Sequence, residues 1–154
     1  MVLIDNTVLS NFAKVGRADL IRKVFNRVYV TEQVLEEFRR GVKRGVLPDV
    51  NLDFEVLKLK GEETELYDAL RDKLGKGEAS CLAIAKHRNM KFLTDDSDAR
   101  KMANVLGVPV SGTIGVLVRC VEKGLITKKE ANRILKEMIK KGFYSPISDL
   151  NEVL

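Results

Sequence analysis

Short apolar runs alternate with segments of helical periodicity along this sequence, and that alternation leaves few architectures open. Val2-Leu3-Ile4 reads as a buried strand, and Thr7 to Val15 and Ala18 to Phe25 as helices broken at Gly16. Arg27 to Val30 is a second strand, and Thr31 is a suitable N-cap for a helix over Glu32 to Arg40 that stops at Gly41. A loop with Pro48 spans Gly45 to Asp49, a third strand covers Phe54 to Leu59, and a helix over Glu62 to Leu74 is closed by Gly75. Glu78 to Arg88 is apolar almost all round, which predicts a buried helix. Lys91 to Thr94 is a fourth strand, and Asp95 to Asp98 open a helix reaching Leu106. Gly107 to Val110 is a short fifth strand, placed at a sheet edge by Pro109. Two further helical spacings follow, Ile114, Leu117, Val118, Val121 and Ala131, Ile134, Leu135, Met138, before an irregular tail from Gly142 that packs on the body. Strands that alternate with helices predict an α/β fold, a parallel sheet covered on both faces. Such sheets bind ligands outside the carboxyl ends of their strands.

The chain's 154 residues suit a single domain over 1–154, without repeat or linker. No run approaches the roughly 20 apolar residues that span a bilayer, and Met1 to Asp5 lacks the basic start of a signal peptide. A cytoplasmic protein with no membrane partner is expected. Cys81 and Cys120 each sit in an apolar helical pattern and read as small buried hydrophobes. The single histidine, His87, lies between Lys86 and Arg88 on a solvated helix end. Any chemistry here therefore runs without a histidine base or a cysteine nucleophile. The net charge of +5 favours a polyanionic partner.

The acids carry the chemical signal. Asp5 ends the first strand, and Asp95 and Asp96 follow the fourth, so neighbouring strands would bring them into one crevice. Helix capping explains one Asp of each group but not three acids, Asp95, Asp96 and Asp98, within four positions. Glu78 opens the buried helix on the face of Leu82 and Ala85, so it points toward the body, where a lone carboxylate is costly. Glu36 and Glu37 compete for a fourth place. Glu37 lies nearer the inner stripe of Val34, Leu35, Phe38 and Val42 and is favoured. Thr7 is placed to orient Asp5, or simply to begin the helix. Carboxylates gathered this closely repel, and a divalent cation removes the conflict. A donor set of oxygens alone suits Mg²⁺ or Mn²⁺, which can activate water and hold the oxygens of a phosphodiester.

These motifs, in this order, resemble the PIN domain. The resemblance rests on Val2-Leu3-Ile4-Asp5-Asn6-Thr7, on Val30 to Phe38 with Glu37 as its acid, on Gly77-Glu78-Ala79, and on Leu93-Thr94-Asp95-Asp96-Ser97-Asp98. It extends through Gly112 to Gly115, Lys123 to Ile126 and Gly142-Phe143, and so covers essentially the whole chain. The third acid is Asp in many relatives and Glu here. The resemblance implies a three-layer α/β/α fold whose parallel sheet of about five strands runs 3-2-1-4-5. It implies Mg²⁺- or Mn²⁺-dependent cleavage of single-stranded RNA at a site of Asp5, Glu37, Glu78 and Asp96, with Asp95 and Asp98 as additional metal ligands. Many small relatives are similar to VapC-type toxins, homodimers held inactive by an antitoxin protein. Nearby Lys or Arg would stabilise developing charge, and the sequence does not assign which; Lys76 beside Glu78 and Arg100 beside the acidic turn are candidates.

Two other readings stand beside this one. A phosphatase of the haloacid-dehalogenase class also puts Asp after its first strand, but it needs a second Asp where Thr7 stands. A non-catalytic RNA-binding domain with a vestigial acidic site would share the same acids.

Overall fold

The computed structural model describes residues 1–154. Its strands are β1 (Val2–Ile4), β2 (Val28–Thr31), β3 (Glu55–Leu57), β4 (Lys91–Leu93) and β5 (Val110–Ser111). They form one sheet in the order β3-β2-β1-β4-β5, and every pairing is parallel. This is the predicted order, with β1 at the centre. Val2, Leu3 and Ile4 are all buried, as an apolar run between two covered faces must be. β5 is an edge strand, so Pro109 just before it removes no ladder donor the sheet needs.

Eight helices fill the connections: α1 (Asn6–Lys14), α2 (Asp19–Val24), α3 (Glu32–Lys43), α4 (Glu62–Leu70), α5 (Lys76–Arg88), α6 (Ser97–Leu106), α7 (Thr113–Glu122) and α8 (Lys128–Lys140). α5 packs against α3, α4 and α6 and against strands β1, β2 and β4. Its residues from Ala79 to Ala85 are all buried, as the all-round apolar sequence requires. α7 packs against α2 and α8, and α8 against α1. One buried cluster runs from Val2 to Leu150 and joins the two groups. None of the helices is long and apolar enough to cross a membrane.

Several boundaries differ from expectation for local reasons. α3 continues through Gly41 because the turn comes later, at Gly45 with φ +73°. Gly41 serves packing: a Cβ there would lie 2.6 Å from Leu47 Cδ1, and its carbonyl accepts the N–H groups of Val46 and Leu47. α4 ends at Leu70, short of Leu74, and Arg71 Nη1 ties off the turn on the Leu74 carbonyl at 3.1 Å. α5 begins two residues before Glu78, at Lys76. The tail is not wholly irregular. A 3-10 turn over Leu150–Glu152 is held by a capping box from Asp149, and the Leu150 N–H donates to Asn132 Oδ1 at 2.7 Å.

α4 and α5 are clamped by a two-pronged pair. Arg88 Nε and Nη2 reach the nearly buried Glu63 at 2.7 and 2.9 Å, and Nη2 also donates to the Lys58 carbonyl. The guanidinium holds the Glu63 carboxyl below its usual range, more strongly than burial raises it.

Candidate active site

β1 and β4 each hand the chain to a helix at their carboxyl ends, where Asp5 and Asp96 sit, whereas Glu37 comes from within α3 and Glu78 from the first turn of α5. Asp5 follows β1 and caps α1. Its Oδ1 accepts the Thr7 N–H at 3.0 Å, the Thr7 hydroxyl at 2.6 Å and the Val8 N–H at 3.4 Å, while Oδ2 accepts the Thr94 hydroxyl at 2.5 Å. Both hydroxyls have a fixed direction, because each already accepts a backbone N–H. Asp95 N–H donates to Thr7 Oγ1 at 2.8 Å and Asp96 N–H to Thr94 Oγ1 at 3.1 Å. Their own protons are thereby left for Asp5. The carboxylate is only 1% exposed. Burial pushes its pKa up to about 7 against the pull of the Thr7 and Thr94 hydroxyls, and the nearby Glu78 adds to the rise.

Asp96 caps α6, with Oδ2 accepting the Ala99 N–H at 2.8 Å. Capping and membership of an acidic cluster are therefore not alternatives at Asp5 or at Asp96. Glu37 reaches out from α3. Its Oε1 accepts the Gly77 N–H at 2.9 Å, and its Oε2 accepts Asn6 Nδ2 at 3.3 Å. Glu36 instead faces solvent and lies 3.7 Å from Arg40 on its own helix. Glu78, in the first turn of α5, is half-buried, and its carboxyl lies over Gly75. Burial raises its pKa; its own backbone N–H opposes this, and the negative charges of Glu37 and Asp96 raise it further.

Glu78 thus lies within electrostatic reach of Asp5, Glu37 and Asp96, which come from three other elements. None of the four takes part in the chain's ion pairs, which all lie elsewhere. The other two acids are placed differently. Asp95 turns to α7: Oδ1 accepts the Thr113 N–H at 2.8 Å, and Oδ2 accepts the Thr113 hydroxyl at 2.5 Å and Asn11 Nδ2 at 3.1 Å. Asp98 is exposed in the first turn of α6. Of the two basic residues, Lys76 is exposed, and Arg100 donates from Nη1 to the Thr94 carbonyl at 3.0 Å.

Four supporting residues escape a reading by acid spacing alone. Asn6 donates to the Val34 carbonyl at 2.9 Å as well as to Glu37, and its own Oδ1 is buried without a partner. Gly75 and Gly77 make room: a Cβ on Gly75 would lie 2.8 Å from Glu78 Oε2, and one on Gly77 2.8 Å from Glu37 Oε1. A Cβ on Gly112 would collide with Asp95 Oδ1. The visible signal was the Gly75-Lys76-Gly77 spacing ahead of Glu78, which a first reading takes only as a helix stop.

A hard divalent cation fits the chemistry of this pole. All four side chains offer oxygen, Asn6 Oδ1 lacks a partner, and the buried negative charge has no counter-ion among the side chains. As they stand, no three acidic, histidine or cysteine side chains converge closely enough to hold one ion among themselves.

Histidine and cysteine take no part in the pole's polar contacts. His87 Nδ1 lies 2.9 Å from the Ala83 carbonyl. Both cysteines are free and buried, and burial raises both thiols, Cys120 to about 11.

An all-parallel sheet ordered 3-2-1-4-5, with acids gathered at the carboxyl ends of its central strands, defines the class: an α/β protein with an acidic pole. The whole chain, residues 1–154, matches a family model described as PIN domain. The chain belongs to the PIN-domain family. Among solved structures it resembles in fold a chain from the crystal structure of VapBC2 from Rickettsia felis bound to a DNA fragment from their promoter. The TM-score is 0.52 at 16% sequence identity, covering 73% of this chain and 98% of that one. No curated protein matches the chain in sequence.

Proposed function

We propose that this chain is a divalent-metal-dependent ribonuclease that hydrolyses phosphodiester bonds of single-stranded RNA, and that it acts as the toxin of a toxin–antitoxin pair. One observation carries the nuclease reading: four carboxylates from four elements share one pole, one of them buried, with no cation side chain paired to any of them. Folding such a group together is costly unless a ligand supplies positive charge. Family membership supports the nuclease class, and the likeness to a VapBC2 chain supports an antitoxin partner.

Asp5, Glu37, Glu78 and Asp96 would hold Mg²⁺ or Mn²⁺, directly or through water. When bound, the ion supplies an activated water and a Lewis acid for the phosphodiester oxygens. The chain's own groups do the rest. Thr7 and Thr94 fix the Asp5 carboxylate. The Gly77 N–H and Asn6 fix Glu37. Arg100, anchored on the Thr94 carbonyl, supplies positive charge beside the acids. Asp95 holds the N-terminus of α7 against this frame and serves it as a positioning residue. The chain acts as a cytoplasmic homodimer on this reading.

The test is cleavage of an unstructured RNA in Mn²⁺, comparing wild type with Asp5→Asn. Wild type cleaves, EDTA abolishes the activity, and the variant is inactive. Equal cleavage by both would overturn the assignment. Metal-independent RNA binding without any cleavage would point to the vestigial-site reading instead.

A further inference from the structure

A second feature lies away from the acidic pole. α8 and the 3-10 turn at Leu150–Glu152 enclose a groove of about 630 Å³ with no apolar side chain in its walls. Its cations are Lys128, Lys129, Arg133 and Lys136, with Asn132 and Asn151 between them. None of the four cations has a carboxylate within ion-pair distance. Asp149, the one acid in the groove wall, and Glu130 are engaged elsewhere, and Glu137, one turn from Arg133, stands outside the wall without an ion pair. Glu130 is bonded by Arg17 at 3.0 Å, and Asp149 accepts the Asn151 N–H at 2.7 Å as the cap of the turn. The wall is fixed, because Leu150 is buried and its N–H is held by Asn132. Like charges one turn apart on a helix repel and weaken it. A cluster left unbalanced in this way is relieved by a polyanion.

The groove's position gives it direction. α1 starts at the acidic pole with Asn6, and Arg17, just beyond its far end, pairs with Glu130 near the start of α8. α8 therefore starts at the opposite end of the molecule from the acids. Lys129, Arg133, Lys136 and Lys140 recur at intervals of three and four residues, so they share one face along the length of α8. All four are exposed.

We propose that this basic groove binds the phosphate backbone of single-stranded RNA and holds the strand outside the acidic pole. The inference rests on the nuclease reading for the identity of the polyanion, not for the existence of the groove. Binding here is electrostatic and indifferent to sequence, and it lengthens the stretch of RNA the protein engages.

The experiment uses the full chain carrying Asp5→Asn, so that RNA stays intact, with fluorescein-labelled uridine oligomers of 4 and 15 nucleotides read by anisotropy. The log–log slope of affinity against salt shrinks by about 0.7 for each single-strand phosphate that is no longer neutralised by a side chain. Adding Lys129→Gln, Arg133→Gln and Lys136→Gln should lower the 15-mer slope by about 2. It should also remove the advantage of the 15-mer over the 4-mer. Arg133→Lys alone should keep the slope. These side chains are exposed, and an unchanged melting temperature verifies the fold. An unchanged slope in the triple variant overturns the inference, as does loss of binding to phosphatidylglycerol vesicles while RNA binding stays intact. If wild type cleaves RNA yet the slope does not move, the groove assignment alone fails. If the slope falls while no Mn²⁺-dependent cleavage is found, the nuclease reading alone fails.

Discussion

Asp5→Asn without metal should stabilise the protein, by an amount that depends on pH. In the folded chain Asp5 has a pKa of about 7, against an ordinary value of 3.8. A carboxyl whose pKa rises on folding binds its proton more tightly when folded. Folding is therefore favoured by acid, and this contribution is complete below pH 3.8. It is lost as the pH climbs through about 7, beyond which the full cost of burying the charge remains. The gap from 3.8 to about 7, at about 1.4 kcal/mol per pH unit, comes to about 4 kcal/mol. Asparagine keeps the shape, still accepts the Thr7 hydroxyl and carries no charge. The two proteins should melt together at pH 4 and separate progressively above it. At about 2 to 4 °C per kcal/mol for a chain of this size, the variant should melt about 8 to 16 °C higher at pH 8. The assay is a thermal melt in EDTA followed by circular dichroism at both pH values. Mn²⁺ should then close the gap from the wild-type side, since an ion bound only by the folded state raises its melting point. A variant that melts with or below wild type at pH 8 in EDTA refutes the reasoning.

The two glutamates of α3 separate cleanly. Glu37→Gln should lower Mn²⁺-dependent RNA cleavage on the order of a hundredfold, and Glu36→Gln should leave it unchanged, both read from initial rates. Gly77→Ala puts a Cβ 2.8 Å from Glu37 Oε1 and displaces it. Cleavage should again fall on the order of a hundredfold, while far-UV circular dichroism stays native. Asp95→Ala removes the acceptor of Thr113 and Asn11 and should cost about 2 kcal/mol in urea unfolding. Asp98→Ala should cost less than about 0.5 kcal/mol.

Most of the fold was legible because it depends on period and burial, and both are written in residue type. Val2 to Ile4 and Ala79 to Ala85 leave no polar face, so they predict the central strand and the buried helix without reference to neighbours. The PIN resemblance then supplied the strand order. What was not legible depended on distance along the chain. Gly41 and Gly45 both offer a helix stop, and only the approach of Leu47 decides between them. Asn6 looks like a filler between Asp5 and Thr7 until Val34 and Glu37 arrive from α3. Residue type and spacing alone do not separate Asp95 from Asp96, and only the resemblance favoured Asp96. They part because one peptide later the side chain turns toward α6, whereas Asp95 meets Thr113.

The hydrogen bonds also explain how four acids can serve one ion without already surrounding a point. Asp5 and Glu37 each have both oxygens engaged, so neither is free to swing. A carboxylate oxygen has a second lone pair, and an engaged oxygen can still face a cation, but only from a fixed direction. Asp96 commits Oδ2 to Ala99 and keeps Oδ1. Glu78 has no carboxylate partner beyond its own backbone N–H, and it carries a stem one methylene longer than Asp. It lies over Gly75, which clears the space it occupies. Under the proposed function, three acids define where charge is needed and Glu78 adjusts to whatever arrives. A rigid Asp at position 78 would have to be placed correctly from the start. Glu78→Asp should therefore retain the fold yet bind Mn²⁺ more weakly by calorimetry, and equal or tighter binding would show that the longer stem is not what completes the site.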